Sequence, residues 1–90
     1  MTARTTADRI RNIAKFIAAE NGTQYASLRI IREALADIPR AELDAEMTRL
    51  YTAGHVDLVP QSCQSNLTLA DREAAVRVGG EDKHRLAWAA

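Results

Sequence analysis

Residues 27–59 read SLRIIREALADIPRAELDAEMTRLYTAGHVDLV, and this stretch carries the signals that decide the fold. Ser27 is a typical helix N-cap residue. The apolar residues that follow it recur at the three- and four-residue spacing of one helical face, which predicts a helix over about 28–37. Pro39 ends that helix, because the residue before a proline disfavours the helical conformation. The inner face of this helix is expected to consist of Leu28, Ile31, Leu35 and Ile38.

Apolar residues at the same helical spacing resume directly after Pro39 and predict a second helix in this stretch, over about 40–53. Its apolar face holds Leu43, Met47, Leu50 and Tyr51, and Gly54 suits its C-cap. Because the turn before it is only a few residues long, the two helices are expected to cross at a steep angle, as in a helix-turn-helix. Residues 55–59 then alternate between apolar and polar, which predicts a strand.

Working outward from this stretch, two further elements are expected. A first helix over about 7–20 presents its apolar residues on one face and ends at Asn21-Gly22. Residues 23–26 are expected to form a short extended segment. Near the other end, residues 84–88 alternate with Leu86 and Trp88 inward, so this strand can pair antiparallel with residues 55–59 as a two-stranded ribbon. The inner face of the first helix is expected to hold Ile10, Ile13, Ala14 and Ile17.

The connection between the two strands is too long for a hairpin turn. Residues 61–66 are polar and are expected to form a loop. Thr68 and Asp71 have the spacing of a capping box, which predicts a short fourth helix over about 69–76. Gly79-Gly80 is expected to end that helix, and Glu81-Asp82 to lie in a turn.

The order of helix, short extended piece, helix, tight turn, helix and ribbon resembles the winged helix-turn-helix superfamily. The resemblance is carried by residues 27–35, Leu43, Met47, Leu50, Gly54 and the strand that begins at His55. It covers about residues 7–60 and 83–89, and the inserted helix departs from the usual hairpin wing. It implies one mostly α, α+β domain over residues 1–90, acting as a homodimeric DNA-binding transcriptional regulator.

If the resemblance extends to function, the helix over 40–53 is the recognition helix. Its outward arginines would contact phosphate or guanine, its threonines would contact phosphate, and its small alanines would let the helix lie deep in a groove. Arginines of the preceding helix, together with Arg4, Arg9 and Arg11, would contact phosphates. The alternative for Arg29 and Arg32 is that they pair with Glu33, Asp37 or the acidic second half of the chain. The predicted DNA-contacting residues are Arg40, Ala41, Ala45, Thr48, Arg49, Thr52, Arg29 and Arg32.

The same helix also supports a protein-interaction module that does not bind DNA. Glu42, Asp44 and Glu46 make the helix net negative, and anions on a DNA-facing surface repel phosphate. A partner would then bind the stripe of Ala41 and Ala45, or a surface formed by Phe16 with Trp88. Phe16 lies to the side of the apolar face of its helix, where we expect it to cover the core rather than to serve as an exposed dimer anchor.

Composition limits the remaining function classes. The 90 residues contain 12 basic and 12 acidic side chains. This balance excludes a polybasic protein that binds nucleic acid or membrane through its overall charge. The charges divide into a basic half over residues 1–40, net +3, and an acidic half, net −3. The single cysteine, Cys63, excludes an internal disulfide and is typical of a reducing cytoplasm. No signal peptide or membrane span is expected.

No motif indicates an enzyme, a metal site or a cofactor. Cys63 has no nearby partner arranged for nucleophilic chemistry. His55, Cys63 and His84 could meet around the ribbon, but their spacing matches no metal-binding motif. Gly79-Gly80 lacks the spacing of a phosphate-binding loop. We therefore expect a binding protein without catalytic residues, metal or cofactor.

Overall fold

Three helices pack against a small antiparallel sheet, and a helix and a hairpin are inserted between two strands of that sheet. The computed structural model describes residues 5–60 and 67–88 of the chain. In this part the domain is α+β, as predicted. The helices are α1 (Thr6–Glu20), α2 (Leu28–Ala34), α3 (Arg40–Thr52) and α4 (Leu69–Glu73), and the strands are β1 (Ala26–Ser27), β2 (Val56–Val59), β3 (Val76–Val78), β4 (Glu81–Lys83) and β5 (Arg85–Trp88).

The first helix begins at a capping box. The Thr5 side chain accepts a bond from the Asp8 backbone N–H, and the Asp8 carboxylate accepts one from the Thr5 N–H. These two bonds satisfy backbone donors that the first helical turn leaves free. Ile10, Ala14 and Ile17 are buried on the inner face, which confirms the predicted helix and the core positions of these residues.

The turn between α2 and α3 is longer than predicted, because α2 ends at Ala34 rather than near Asp37. Leu35 leaves the helical conformation, with φ −111° and ψ 36°, and the Ile38 N–H donates back to the Leu35 carbonyl at 2.9 Å. This tight turn keeps both side chains in the core although they lie outside the helix. The periodicity therefore identified the core residues correctly and misplaced the end of the helix.

The predicted antiparallel pairing of residues 55–59 with residues 84–88 is confirmed, because β2 pairs with β5, with Leu58 opposite Leu86 and Val56 opposite Trp88. The predicted two-stranded ribbon is nevertheless wrong in strand number, because β1 pairs with the other edge of β5. The sheet order is β1-β5-β2, and Ala26 lies opposite Leu86. A strand of two residues is too short to show an alternating pattern, so the sequence indicated only an extended piece there.

The structure of the inserted segment differs from the prediction in its second half, which forms a hairpin instead of the end of a helix and a turn. The fourth helix ends at Glu73, and Val76, expected to be helical, begins strand β3. Gly79-Gly80 does not end a helix but forms the turn of the hairpin β3–β4, and Glu81 and Asp82 belong to β4. Both glycines have positive φ, 64° and 79°, as two-residue hairpin turns require. Val76 and Val78 have branched side chains that favour a strand over a helix.

One apolar core joins α1, α2, α3 and the three-stranded sheet. Leu86, on the central strand, is fully buried, as are Ile10, Leu28 and Ile31. Trp88 is half-buried and packs against this core. Within the described residues, no helix has both the length and the apolar content needed to cross a membrane.

Phe16 does not cover the core as expected, because its side chain is 61% exposed. At 3.6 residues per turn, Phe16 points about 160° away from the buried Ala14. The inserted helix α4 packs against α2 and leaves Phe16 uncovered. Phe16 and Trp88 also lie on different sides of α1, because Trp88 borders a groove with Ala14 and Ala18. The structure therefore does not join them in one surface.

We predict that Leu86→Ala lowers the free energy of unfolding by about 2–5 kcal/mol, because it opens a cavity where the sheet meets the helices. Leu69→Ala removes the same atoms from a side chain that is 72% exposed, and it should change stability by less than about 0.5 kcal/mol. Urea unfolding followed by circular dichroism measures both. Equal effects of the two substitutions would contradict this description of the core.

Candidate functional site

The outer face of α3 carries the residues that the DNA-binding hypothesis singled out. Ala41, Ala45, Arg49 and Thr52 are exposed, and Thr48 is half-buried. The opposite face, formed by Leu43, Met47 and Leu50, is buried in the core. The centre of the outer face is thus a stripe of small uncharged side chains with charged residues along its edges.

Arg49, at one edge of the stripe, is held by Glu46 of the same helix. Its Nε donates to Glu46 Oε2 at 3.1 Å, and an Nη2 bond to the other carboxylate oxygen makes the pair bidentate. These bonds lower the pKa of Glu46 and raise that of Arg49. Although the Arg49 side chain is 60% exposed, its charge is already matched within the chain.

Arg32 is the most enclosed of the predicted DNA-contacting arginines, with 13% of its side chain exposed. Its Nη2 donates to Asp44 of α3 at 2.6 Å, and its Nε donates to the Ala74 carbonyl at 2.7 Å. Arg40 lies beside this pair. Its Nη2 donates to the Ala75 carbonyl at 3.2 Å, and its Nε lies 3.7 Å from Asp44 Oδ2.

Arg29 connects α2 to the inserted helix. Its Nε donates to Asp71 Oδ1 at 2.8 Å and its Nη1 donates to Glu33 at 3.2 Å. The Thr68 backbone N–H at the start of α4, followed by the Arg29 guanidinium, lowers the pKa of Asp71. Asp71 therefore both caps α4 and binds α2, a contact that its place in the capping box did not indicate.

Three of the four arginines thus bind residues 71–75 of the inserted segment. We call the resulting set of contacts the arginine network: Arg29, Arg32, Arg40, Asp44, Asp71 and the carbonyls of Ala74 and Ala75. The alternative that Arg29 and Arg32 pair with Glu33 or with the acidic half of the chain is confirmed by their bonds to Glu33, Asp71 and Asp44. Sequence reasoning missed the rest of the network, because its two other acceptors are backbone carbonyls of alanine. Only the spacing of Thr68 and Asp71 signalled that an ordered helix was inserted there.

The charges around α3 do not form a positive face. Four arginines lie next to four carboxylates that pair with them, and Glu42 adds a fifth carboxylate at the start of the helix. Glu42 accepts a bond from the Thr6 hydroxyl at 3.2 Å, which ties the start of α1 to α3. The surface is therefore mixed in charge and slightly negative.

The predicted N-terminal phosphate contacts are also paired with acids. Arg9 donates two bonds to Asp37, at 2.7 and 2.9 Å, and its hydrogen bonds lower the pKa of that carboxyl. Arg11 lies 3.8 Å from Asp8. Arg4 is outside the described residues.

The two histidines lie in different environments. His55 is exposed after α3, whereas His84 is buried between β4 and β5. The His84 backbone joins the sheet to both sides, since its N–H donates to the Val59 carbonyl and its carbonyl accepts from the Leu28 N–H. Over residues 5–60 and 67–88, no group of three or more His, Cys, Asp or Glu residues can hold a metal. Cys63 and the loop 61–66 lie outside the described residues.

No protein-family model matches the chain, and no curated protein or solved structure matches it at a significant level.

Because Asp71 has a lowered pKa in the folded protein, its charge stabilises the fold above about pH 4, and this contribution is lost as the pH falls through the folded pKa. We predict that Asp71→Asn reduces the loss of stability between about pH 5 and pH 2. Asp57→Asn is the control, because Asp57 is exposed on β2 and forms no ion pair with a described residue. Urea midpoints measured across this range provide the test. An equal acid response in the Asp71→Asn and wild-type proteins would contradict it.

We further predict that Asp44→Ala destabilises the protein by about 1–3 kcal/mol, because the enclosed Arg32 guanidinium loses its carboxylate. Glu33→Ala should change stability by less than about 0.5 kcal/mol, because that carboxylate is exposed and, among the described residues, pairs only with Arg29. Thermal unfolding compares the two variants. A larger loss of stability from Glu33→Ala than from Asp44→Ala would show that the Arg32–Asp44 pair does not contribute more to stability than the exposed Arg29–Glu33 pair.

Proposed function

We propose that this protein is a protein-interaction module with a winged-helix arrangement, and that the outer face of α3 contacts a protein partner rather than duplex DNA. The observation that carries the proposal is the pairing of Arg29, Arg32, Arg40 and Arg49 with acceptors of the chain itself. Those are the arginines on which DNA binding through this face would depend.

The arrangement of elements supports the winged-helix part of the proposal. A short strand before α2 joins the sheet, a tight turn separates α2 from α3, and the strand after α3 pairs with the last strand. The inserted residues 68–75 depart from a simple hairpin wing and pack against α2 and the start of α3.

Electrostatics supports the choice of partner. Affinity for DNA comes largely from cations that neutralise phosphates and release counterions. Here an arginine must first give up a bond inside its own chain, and Glu42, Asp44 and Glu46 stay close to the incoming phosphate. A protein partner needs no excess positive charge. The small side chains of Ala41 and Ala45 allow the backbone of such a partner to approach closely.

The order of the elements favours DNA binding as the second candidate function. In that case α3 would enter the major groove, with Arg40, Thr48, Arg49 and Thr52 at base edges and phosphates, and a homodimer would double the contact. Those arginines would have to exchange their carboxylate and carbonyl partners for phosphates.

Fluorescence anisotropy of a generic duplex at low and physiological salt separates the two candidates. We expect no saturable binding at either salt concentration, and no difference between the wild type and the Arg40→Ala/Arg49→Ala variant. Binding that weakens steeply with salt and is lost in the double variant would overturn the proposal and establish DNA contact through α3.

A photo-crosslinking amino acid at position 45 identifies what contacts α3 in cells. We expect protein adducts from position 45 and few from position 70, which is exposed on α4. Predominantly nucleic-acid adducts from position 45, or equal protein adducts from both positions, would contradict the proposal.

A further inference from the structure

A stripe of four residues on α1 lies beside the core-facing side of that helix. Arg9, Ile13, Phe16 and Glu20 follow one another at spacings of four, three and four residues, so they form one line along the helix. We call this line the α1 stripe. It has a basic end, an apolar middle and an acidic end, and the spacing is the same when read in either direction.

In the apolar middle of the stripe, Phe16 is uncovered, whereas Ile13 is half-buried and packs partly against the core. Phe16 is one of two large hydrophobic side chains that are strongly exposed among the described residues. Beside it, Arg9, Asn12, Ile13 and Leu35 line an open groove of about 250 Å³ between α1 and the end of α2. An exposed aromatic next to a mostly apolar groove is a typical contact for a protein partner.

We propose that this surface binds a second copy of the same chain, with the two α1 helices packed antiparallel about a twofold axis. The symmetric spacing places the Phe16 of each copy against the Ile13 and the groove of the other. The same register places the Arg9 of each copy against the Glu20 of the other. A twofold interface requires a self-complementary surface, and the order of basic, apolar and acidic residues along the α1 stripe is self-complementary in the antiparallel direction.

The two charged residues differ in how they can make this contact. Glu20 is exposed and has no ion-pair partner among the described residues. Arg9, in contrast, is already bound to Asp37 and would share its guanidinium between Asp37 and the Glu20 of the other copy. It uses two of its five N–H donors on Asp37, and 34% of its side chain is exposed. By the 1.5 Å rise per residue, the two Arg9–Glu20 pairs would lie about 16 Å apart, one on each side of the apolar centre.

The inference goes beyond the proposed function, because it concerns α1 instead of α3 and does not depend on what α3 binds. One helix face buries less than the roughly 800 Å² per partner of a standard stable interface. The dimer should therefore be weak and concentration-dependent, with a Kd on the order of 0.1 mM.

Sedimentation equilibrium of the full chain at concentrations up to about ten times that Kd tests the inference. We expect Phe16→Ser to weaken dimerisation about tenfold or more, because an aromatic anchor at the centre is lost. Leu69→Ser is the matched control, since it removes the other strongly exposed large hydrophobic side chain and should leave dimerisation unchanged. Circular dichroism checks that both variants fold. A monomeric wild type, or a dimer unaffected by Phe16→Ser, would overturn the inference.

Charge reversal tests the register independently. Glu20→Arg alone places like charges opposite each other in the antiparallel dimer, and so does Arg9→Glu alone. We expect each variant by itself to be monomeric and an equimolar mixture to form a heterodimer, because both Arg9–Glu20 positions then pair opposite charges. Failure of the mixture to associate, with both variants folded, would overturn the antiparallel register.

The results separate this inference from the proposed function. If the chain is monomeric but does not bind duplex DNA and crosslinks to protein at position 45, only the α1 inference fails. If it dimerises through Phe16 and also binds DNA through Arg40 and Arg49, the inference stands as a homodimer contact and the proposed role of α3 fails.

Discussion

The hydrogen bonds of the enclosed Arg32 guanidinium are the interaction that holds α2, α3 and the inserted segment together on this side of the domain. The guanidinium lies between Asp44 of α3 and the Ala74 carbonyl of the inserted segment, and it belongs to α2. One side chain thereby connects three parts of the chain that are far apart in sequence. A guanidinium with 13% of its side chain exposed is stable only while its acceptors stay in place, since an unpaired buried charge is strongly unfavourable. Its Nη1 is buried and finds no acceptor among the described residues, so the other bonds must offset that loss.

This constraint determines what the surface around α3 offers to a partner. Because Arg32 and Arg40 hold the carbonyls of Ala74 and Ala75, and Arg29 holds Asp71, the inserted segment closes over one end of the helix pair. Arg29, Arg32 and Arg40 would face DNA in a winged-helix protein that binds it, but here they bind the inserted segment. Between the paired charges, the exposed centre of the face is the stripe containing Ala41, Ala45 and Thr52, which carries no charge of its own. The insertion thus accounts for the loss of three of the four arginines from a positive face, and the Glu46–Arg49 pair accounts for the fourth.

The sequence predicted the elements that bury a regular apolar face. The helices α1 and α3 begin and end within a residue or two of expectation, and β2 pairs with β5 as expected, because periodicity reports burial directly. It failed where burial depends on the rest of the fold. Strand β1 has two residues, and its position is fixed by pairing with β5. Val76 was expected to be helical from its place after a capping box, yet the Gly79-Gly80 turn pairs it with Lys83 in a hairpin.

The candidate site was less predictable than the fold because its partners are distant in sequence. The outward positions on α3 follow from the helical period, but whether Arg40 or Arg49 is available depends on what lies opposite it. Asp71 is 42 residues from Arg29, and no local pattern joins them. The α1 stripe differs in this respect. Its complementarity lies in the order of four residues along one helix, so the sequence contained the pattern, and the structure added that Phe16 and Glu20 are exposed. A surface that lies on one helix can thus be predicted from the sequence once the exposure of its side chains is known. A surface that is formed by several elements cannot be predicted until the fold shows which elements lie next to each other.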